Sequence, residues 1–268
     1  MLGLAFEGCA GRAAFHAGVV DRLSAAGLHP GCVAGASSGS IVAALVAGGL
    51  TERLPEVWLS AAKQPVFQPR RLFRGRWPFV MSSIVGDAVE EQFGSMRLKD
   101  LILPIAIPVT LLTLRGRRRR VLTRADDVTV VEAVLASCFI PGPYSRLVLV
   151  DGCPAVDGAW EIRTPVEALR GLGANRVLAV VANPAGELQL GFPTRECQPL
   201  PVGCVVVSPE QTLSVGAWDM DRRRIEEAIQ SGRVAAEQVL VAELFRAPGE
   251  LCAEARPADR AFSENESD

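Results

Sequence analysis

The chain has 268 residues, 49% hydrophobic and 22% charged, with a formal net charge of −2 and a pI near 5.9. That is enough apolar material for one large α/β domain or two small ones, and the near-neutral charge argues against nucleic acid as a partner. Seven cysteines, an odd number without a C-x-x-C pair, suggest neither a disulfide framework nor a zinc site, so no metal and no cofactor is expected.

Leu2 to Phe6 is a short apolar run ended by Glu7-Gly8 and reads as a buried first strand. The opening residues are too few for a signal-peptide core and lack a basic start. The longest apolar stretch, Leu101 to Leu114, contains two prolines and falls short of the roughly 20 residues of a membrane span. A soluble, cytoplasmic protein is the expectation. After the small-residue loop Gly8 to Arg12, Phe15, Val19, Leu23 and Ala26 recur at helical spacing, and Gly27 ends that helix. Cys32-Val33-Ala34 reads as a second strand and Ile41 to Ala47 as a buried helix, so residues 2–48 form a β-α-β-α unit of a parallel sheet.

Thr51 to Ala62 begins with a helix N-cap residue and predicts a surface helix. Residues 66–81 are rich in arginine, proline and aromatics, including Phe67, Arg70, Arg71, Phe73, Arg74, Arg76, Trp77 and Phe79. Residues 67–79 are read in two ways, as a peripheral membrane contact or as an ordinary surface excursion salt-bridged to Asp and Glu. Ser82 to Phe93 is helical in pattern. Ile102 to Leu114 and Arg119 to Thr123 read as a hairpin around Arg115-Gly116. A short helix over Val130 to Ser137, short strands around Asp151-Gly152, a helix over Pro165 to Leu172 and β-branched strands at Val177 to Ala182 and Val202 to Val207 follow. A long helix spans Asp219 to Leu244. One domain, 1–246, is the simplest organisation, with residues 247–268 a disordered tail by composition.

Gly35-Ala36-Ser37-Ser38-Gly39 lies between the second strand and its helix. In that context G-x-S-x-G is a nucleophile elbow, and Ser37 is the candidate nucleophile; a serine helix cap is the plainer reading. Only His16 and His29 exist, both before Ser37, so the order Ser, acid, His of an α/β-hydrolase is impossible. His29 lies in the loop at the opposite end of the sheet, and His16 suits helix packing or solvent. A carboxylate is therefore the expected base. Asp157 in Val156-Asp157-Gly158-Ala159 is one candidate and Asp151-Gly152 offers the same dipeptide, with turn chemistry able to explain either. The amides of Gly8, Cys9, Ala10, Gly11 and Arg12 converge beside the elbow, where they would stabilise an oxyanion. A phosphate cradle is the alternative, but G-x-G-x-x-G is absent and Gly35, with no ribose-binding acid, ends the second strand.

Together these segments resemble the patatin-like phospholipases. The opening Leu4 to Val19, the elbow Gly35 to Gly39 about twenty residues on, Ser137 to Gly142 and Asp157-Gly158-Ala159 with Thr164-Pro165-Val166 stand in that family's order. The resemblance covers about residues 2–182. It implies a three-layer α/β/α fold with a mainly parallel central sheet, and a Ser-Asp dyad that hydrolyses an acyl ester of a lipid through an acyl-enzyme. Ser37 would attack, Asp157 rather than Asp151 would take its proton, and the amides of Gly8 to Gly11 would hold the oxyanion. Gly35, Gly39 and Gly158 are the motif glycines, and Arg12 matches the arginine of the family's loop, with tying the loop down by hydrogen bonds its plainer structural reading. The chain departs from the family where G-G-G-x-R-G is replaced by Gly8-Cys9-Ala10-Gly11-Arg12-Ala13. A loop strained or relaxed there points to a slower enzyme. It also keeps open a catalytically weak or inactive relative that binds lipid or a partner, and acyl transfer to an acceptor other than water.

Overall fold

The computed structural model describes residues 1–62, 65–194, 196–219 and 221–244. The tail expected from 247 onward lies outside them. β1 (Leu2–Phe6), α1 (Ala14–Ala25), β2 (Cys32–Gly35) and α2 (Ser38–Ala47) alternate as the periodicity requires, with Gly27 at φ +75° closing the first helix. Apolar β1 is buried on both faces: Leu4 and Phe6 join one core cluster and Ala5 the other.

Thr51 does not cap the next helix. A 3-10 turn, Thr51–Arg53, precedes α3 (Leu54–Ala61), whose first turn holds Pro55, where the missing N–H costs nothing. α4 (Met81–Phe93) leads to the hairpin of β3 (Ile105–Thr113) and β4 (Gly116–Thr123). β4 starts three residues earlier than the apolar pattern suggests. Its arginines alternate on a strand that pairs only with β3, so Arg117 and Arg119 reach Glu161 while Arg118 and Arg120 reach Asp151. α5 (Val130–Cys138) opens with a capping box in which Thr129 and Glu132 satisfy each other's amides.

β5 (Val148–Val150), β6 (Cys153–Val156), α6 (Val166–Gly171) and β7 (Arg176–Val180) follow. β8 (Leu188–Gln189) and β9 (Cys197–Gln198) form a two-residue ribbon too short to leave a periodic trace in sequence. β10 (Cys204–Val207) and α7 (Arg222–Leu244) complete the described chain.

The main sheet runs β10-β7-β1-β2-β3-β6-β5, with β4 also on β3. Pairs from β10 through β3 are parallel, and those to β4, β6 and β5 are antiparallel. The three-layer, mainly parallel α/β architecture stands, with unequal layers. One face carries a large core that includes Phe6, Phe15, Leu23, Leu45, Val134 and Ile229 beneath α1, α2, α5 and α7. The other carries a smaller core around Ala34, Ala106, Val166 and Leu169, beneath α6. β1 and β2 end side by side at the middle of the sheet, and the candidate site sits on those ends.

Candidate active site

Ser37 stands between β2 and α2 at φ +50° and ψ −129°, a backbone state costing an L-residue on the order of 1–2 kcal/mol. Two neighbours make the turn possible. A Cβ on Gly35 would lie 2.1 Å from the Gly39 carbonyl oxygen, and one on Gly39 would lie 2.5 Å from that of Phe6. The strained amide is held: Ser37 N donates to Ser137 Oγ at 2.9 Å, and Ser137 Oγ donates to the Pro108 carbonyl at 2.7 Å. Ser137 thus couples the elbow to β3 from 100 residues away in sequence, a role no local pattern announces.

Asp157 follows β6, which pairs with β3 at Thr110↔Val156. Its backbone is fixed by Thr110 Oγ1, which donates to its carbonyl at 2.9 Å, and by its own amide, which donates to Phe139 O at 2.9 Å. Oδ1 accepts from Ala159 N at 2.8 Å, and Oδ2 accepts from Ser37 Oγ at 2.6 Å. A Cβ on Gly158 would lie 2.0 Å from Pro108 O, so only glycine lets the aspartate come this close to β3. Burial pushes the Asp157 carboxyl up to about 7, although the Ser37 hydroxyl, the Ala159 amide and Arg163 all pull the other way.

The competing candidates lie elsewhere. Asp151 ion-pairs with Arg118 and Arg120 at 3.5 and 3.1 Å, with its side chain 44% exposed. His29 is exposed ahead of β2, at the end opposite the elbow. His16 is fully buried against Phe6 and Phe15, with Nε2 3.7 Å from Cys9 Sγ, and desolvation pushes its imidazole down to about 3. It is a neutral packing residue.

The glycine-rich loop is not a cradle of five open amides. Gly8 N donates to Arg163 O at 2.9 Å, Gly11 N to Ala217 O at 2.9 Å and Arg12 N to Cys9 O at 3.3 Å. Cys9 N donates to Ser38 Oγ at 3.2 Å. Among the described residues, the amides of Ala10 and Ser38 have no hydrogen-bond partner, and both residues line the same cavity as Ser37. Nor is the strain shared between Cys9 and Ala10. Cys9 sits at φ −142°, open to any residue, and Ala10 alone takes the left-handed state at φ +55°. The Arg12 side chain makes no hydrogen bond or ion pair among the described residues, although its charge favours the ionised Glu7 carboxyl, so it does not tie the loop down by hydrogen bonding. Arg163 does: its backbone carbonyl holds Gly8, and its Nε lies 2.8 Å from Glu7 Oε1. Glu7 is fully buried, and its other oxygen accepts from Ala182 N at 2.6 Å, binding the end of β1 to the end of β7.

Glu7, Cys9 and His16 each bring a ligating atom within 4.8 Å of the others. The Arg163 guanidinium already neutralises the Glu7 carboxylate, so the set reads as an ion pair with packed neighbours rather than a cation site. Beside Ser37 runs an apolar cavity of about 50 Å³, walled by Trp58 and Ala61 of α3, Met81, Ile84 and Val85 of α4, and Ile140. Sites for drug-sized ligands are several times larger. It admits a few carbon atoms unless α3 and α4 part.

Residues 4–170 match the family model for patatin-like phospholipase. Comparison with the curated proteins gave no match. Among solved structures, human GIVD cytosolic phospholipase A2 is 11% identical with a TM-score of 0.56, over 91% of this chain and 59% of that one. VipD from Legionella pneumophila is 12% identical with a TM-score of 0.47, over 90% of this chain and 66% of that one. Full-length ExoU from Pseudomonas aeruginosa is 15% identical with a TM-score of 0.40, over 89% and 52%. This chain therefore spans about half to two thirds of those chains' length. At 11% identity the likeness to the human phospholipase A2 speaks to fold alone. The family model spans well over half of the sequence, from β1 through the elbow and Asp157 into α6, so the chain belongs to the patatin-like phospholipase family.

Proposed function

We propose that this chain is a serine-dependent lipid acyl hydrolase in which Ser37 and Asp157 act as a dyad. The observation that carries the reading is the 2.6 Å hydrogen bond from Ser37 Oγ to Asp157 Oδ2, made by a strained elbow serine beside an apolar cavity. Ser37 Oγ attacks the ester carbonyl carbon while its proton passes to Asp157 Oδ2. The developing oxyanion takes hydrogen bonds from Ala10 N and Ser38 N, the amides without partners. Collapse breaks the acyl–oxygen bond, and the leaving alcoholate recovers the proton from Asp157. Water then attacks the acyl-enzyme with Asp157 again as base, releasing the fatty acid and restoring Ser37. No imidazole takes part. A carboxylate whose pKa is raised to about 7 is a competent base near neutrality, and its protonation on the acid side stops the first step.

The test is covalent labelling by a fluorophosphonate together with hydrolysis of a short-chain ester. Wild type is expected to do both, with kcat/KM rising through about pH 7 and level above it. Ser37→Ala abolishes labelling, and Asp157→Asn lowers turnover by at least about 100-fold. His16→Ala and His29→Ala retain most activity. A folded wild-type chain that neither labels nor hydrolyses would make this a lipid-binding member of the family rather than an enzyme.

A further inference from the structure

Residues 65–80 join α3 to α4, the two helices that wall the cavity beside Ser37. The projection they form is anchored at its base. Gln68 N donates to Pro78 O and Val80 N to Val66 O, the rings of Phe67 and Phe79 pack 5.0 Å apart, and Trp77 Nε1 donates to Gly142 O at 2.6 Å. A 3-10 segment, Pro69–Arg74, forms the tip, and Gly75 at φ +63° turns the chain back.

Apolar side chains on this projection face solvent. Phe73 is 92% exposed, Leu72 57%, Trp77 51% and Phe67 50%. Arg70, Arg71, Arg74 and Arg76 are interleaved with them, and residues 57–86 contain no Asp or Glu. None of these four arginines forms an ion pair among the described residues; Arg71 Nε donates to the Trp77 carbonyl at 3.0 Å. The other arginine runs are neutralised. Arg117 to Arg120 pair with Glu161, Asp151 and Asp126, and Arg222 to Arg224 pair with Glu226, Glu227 and Asp219. Among the described residues, then, no salt bridge holds this excursion, as the plainer reading requires.

Exposed aromatic and aliphatic groups among unneutralised guanidiniums match an anionic bilayer surface. The arginines sit at phosphate level with their stems buried, and Leu72, Phe73 and Trp77 reach the apolar layer. We infer that residues 67–79 are a membrane-docking projection that seats the cavity-forming helices α3 and α4 on an anionic lipid surface. This deepens the lipid reading above and rests on it for the choice of partner.

The experiment uses the full chain carrying Ser37→Ala, so that lipid is not consumed. It is floated with phosphatidylcholine vesicles that contain or lack phosphatidylglycerol, at low and high salt. Binding is expected to need phosphatidylglycerol and to fall as salt screens the charge. Each arginine near such a surface contributes roughly fivefold, so Arg70→Gln, Arg74→Gln and Arg76→Gln together weaken binding by more than about tenfold. Leu72→Ala with Phe73→Ala weakens it by at least about tenfold through lost apolar contact. Built on the Ser37 parent, the same substitutions leave fluorophosphonate labelling at the parental rate, since these side chains are exposed and do not line the cavity beside Ser37. Binding indifferent to phosphatidylglycerol, salt and both variants overturns the inference. So does no vesicle binding at all, which would return the surface to an acidic protein partner. A Ser37 chain that labels but ignores vesicles sinks the docking and leaves the hydrolase, whereas one that docks without labelling sinks the hydrolase alone.

Discussion

Ala10 is where the chain's departure from G-G-G-x-R-G acquires a physical meaning. It holds φ +55°, and its amide, like that of Ser38, is without a hydrogen-bond partner among the described residues at the cavity beside Ser37. The loop thus keeps a left-handed path and bears the strain at one residue, at a cost on the order of 1 kcal/mol. Cys9, at φ −142°, bears none. Ala10→Gly is therefore expected to raise the thermal midpoint by about 2 °C, while turnover on a short-chain ester stays within about threefold of wild type. A gain of tenfold or more would mean that the alanine holds its amide off the oxyanion, and the donor assignment would fall. Restoring Gly at position 9 should change neither quantity, because nothing there asks for positive φ.

At the scale of elements, α3 and α4 wall the cavity beside Ser37, and on the proposed function they would select among acyl groups. Their cavity of about 50 Å³ is narrow, and Ala61 lines it from the half-buried C-terminal end of α3. Ala61→Leu places three further carbons in that space from a position where added bulk can lean toward solvent. The expected result is selective. In an ester series of increasing acyl length, kcat/KM for the longer chains falls by roughly tenfold or more, and that for the acetyl ester changes by less than about threefold. A uniform fall across the series would place acyl binding elsewhere. Ser137 makes the complementary point from α5, which presents its hydroxyl to the elbow amide and to β3 at once.

For the whole molecule, the burial that raises the Asp157 carboxyl opposes folding at high pH. Its carboxyl titrates near 3.8 when exposed and at about 7 in the fold. Because the folded pKa is the higher one, the folded state binds the proton more tightly. The resulting stability is full below about pH 4 and is lost as pH rises through about 7. His16 works in the opposite sense: its folded value of about 3 lies below the ordinary 6.5, so its contribution is full above 6.5 and is lost as pH falls toward 3. Asp157→Asn should therefore gain stability relative to wild type as pH rises from about 4 to about 7, reaching a difference on the order of 4 kcal/mol. Denaturant unfolding at a series of pH values measures it. A difference independent of pH would mean that Asp157 is not desolvated in solution. No described helix is long and apolar enough to cross a membrane.

The sequence by itself determined the architecture and the candidate dyad. Apolar runs of strand length alternate with helical periods from Leu2 to Ala47, and G-x-S-x-G at 35–39 and D-G-A at 157–159 are contiguous motifs that local turn chemistry reads directly. The preference for Asp157 over Asp151-Gly152 came from the resemblance to the patatin-like family, in which Gly-Ala and Thr-Pro-Val follow the aspartate, because turn chemistry treats the two alike. Only the tertiary structure decided which loop amides stay open. Their partners, Arg163 O, Ala217 O and Ser38 Oγ, arrive from distant elements, and hydrogen bonds across a sheet leave no local trace. The anchoring roles of Ser137 and Arg163, in place of the one expected of Arg12, are non-local for the same reason. So is the pairing of the arginines: Arg117 to Arg120 and Arg70 to Arg76 look alike as strings, yet strand alternation brings carboxylates to the first run, and among the described residues none reaches the second. The raised pKa of Asp157 belongs to this group as well, since desolvation depends on how completely the packed chain excludes water from a carboxyl, a property of three dimensions that spacing in one cannot encode.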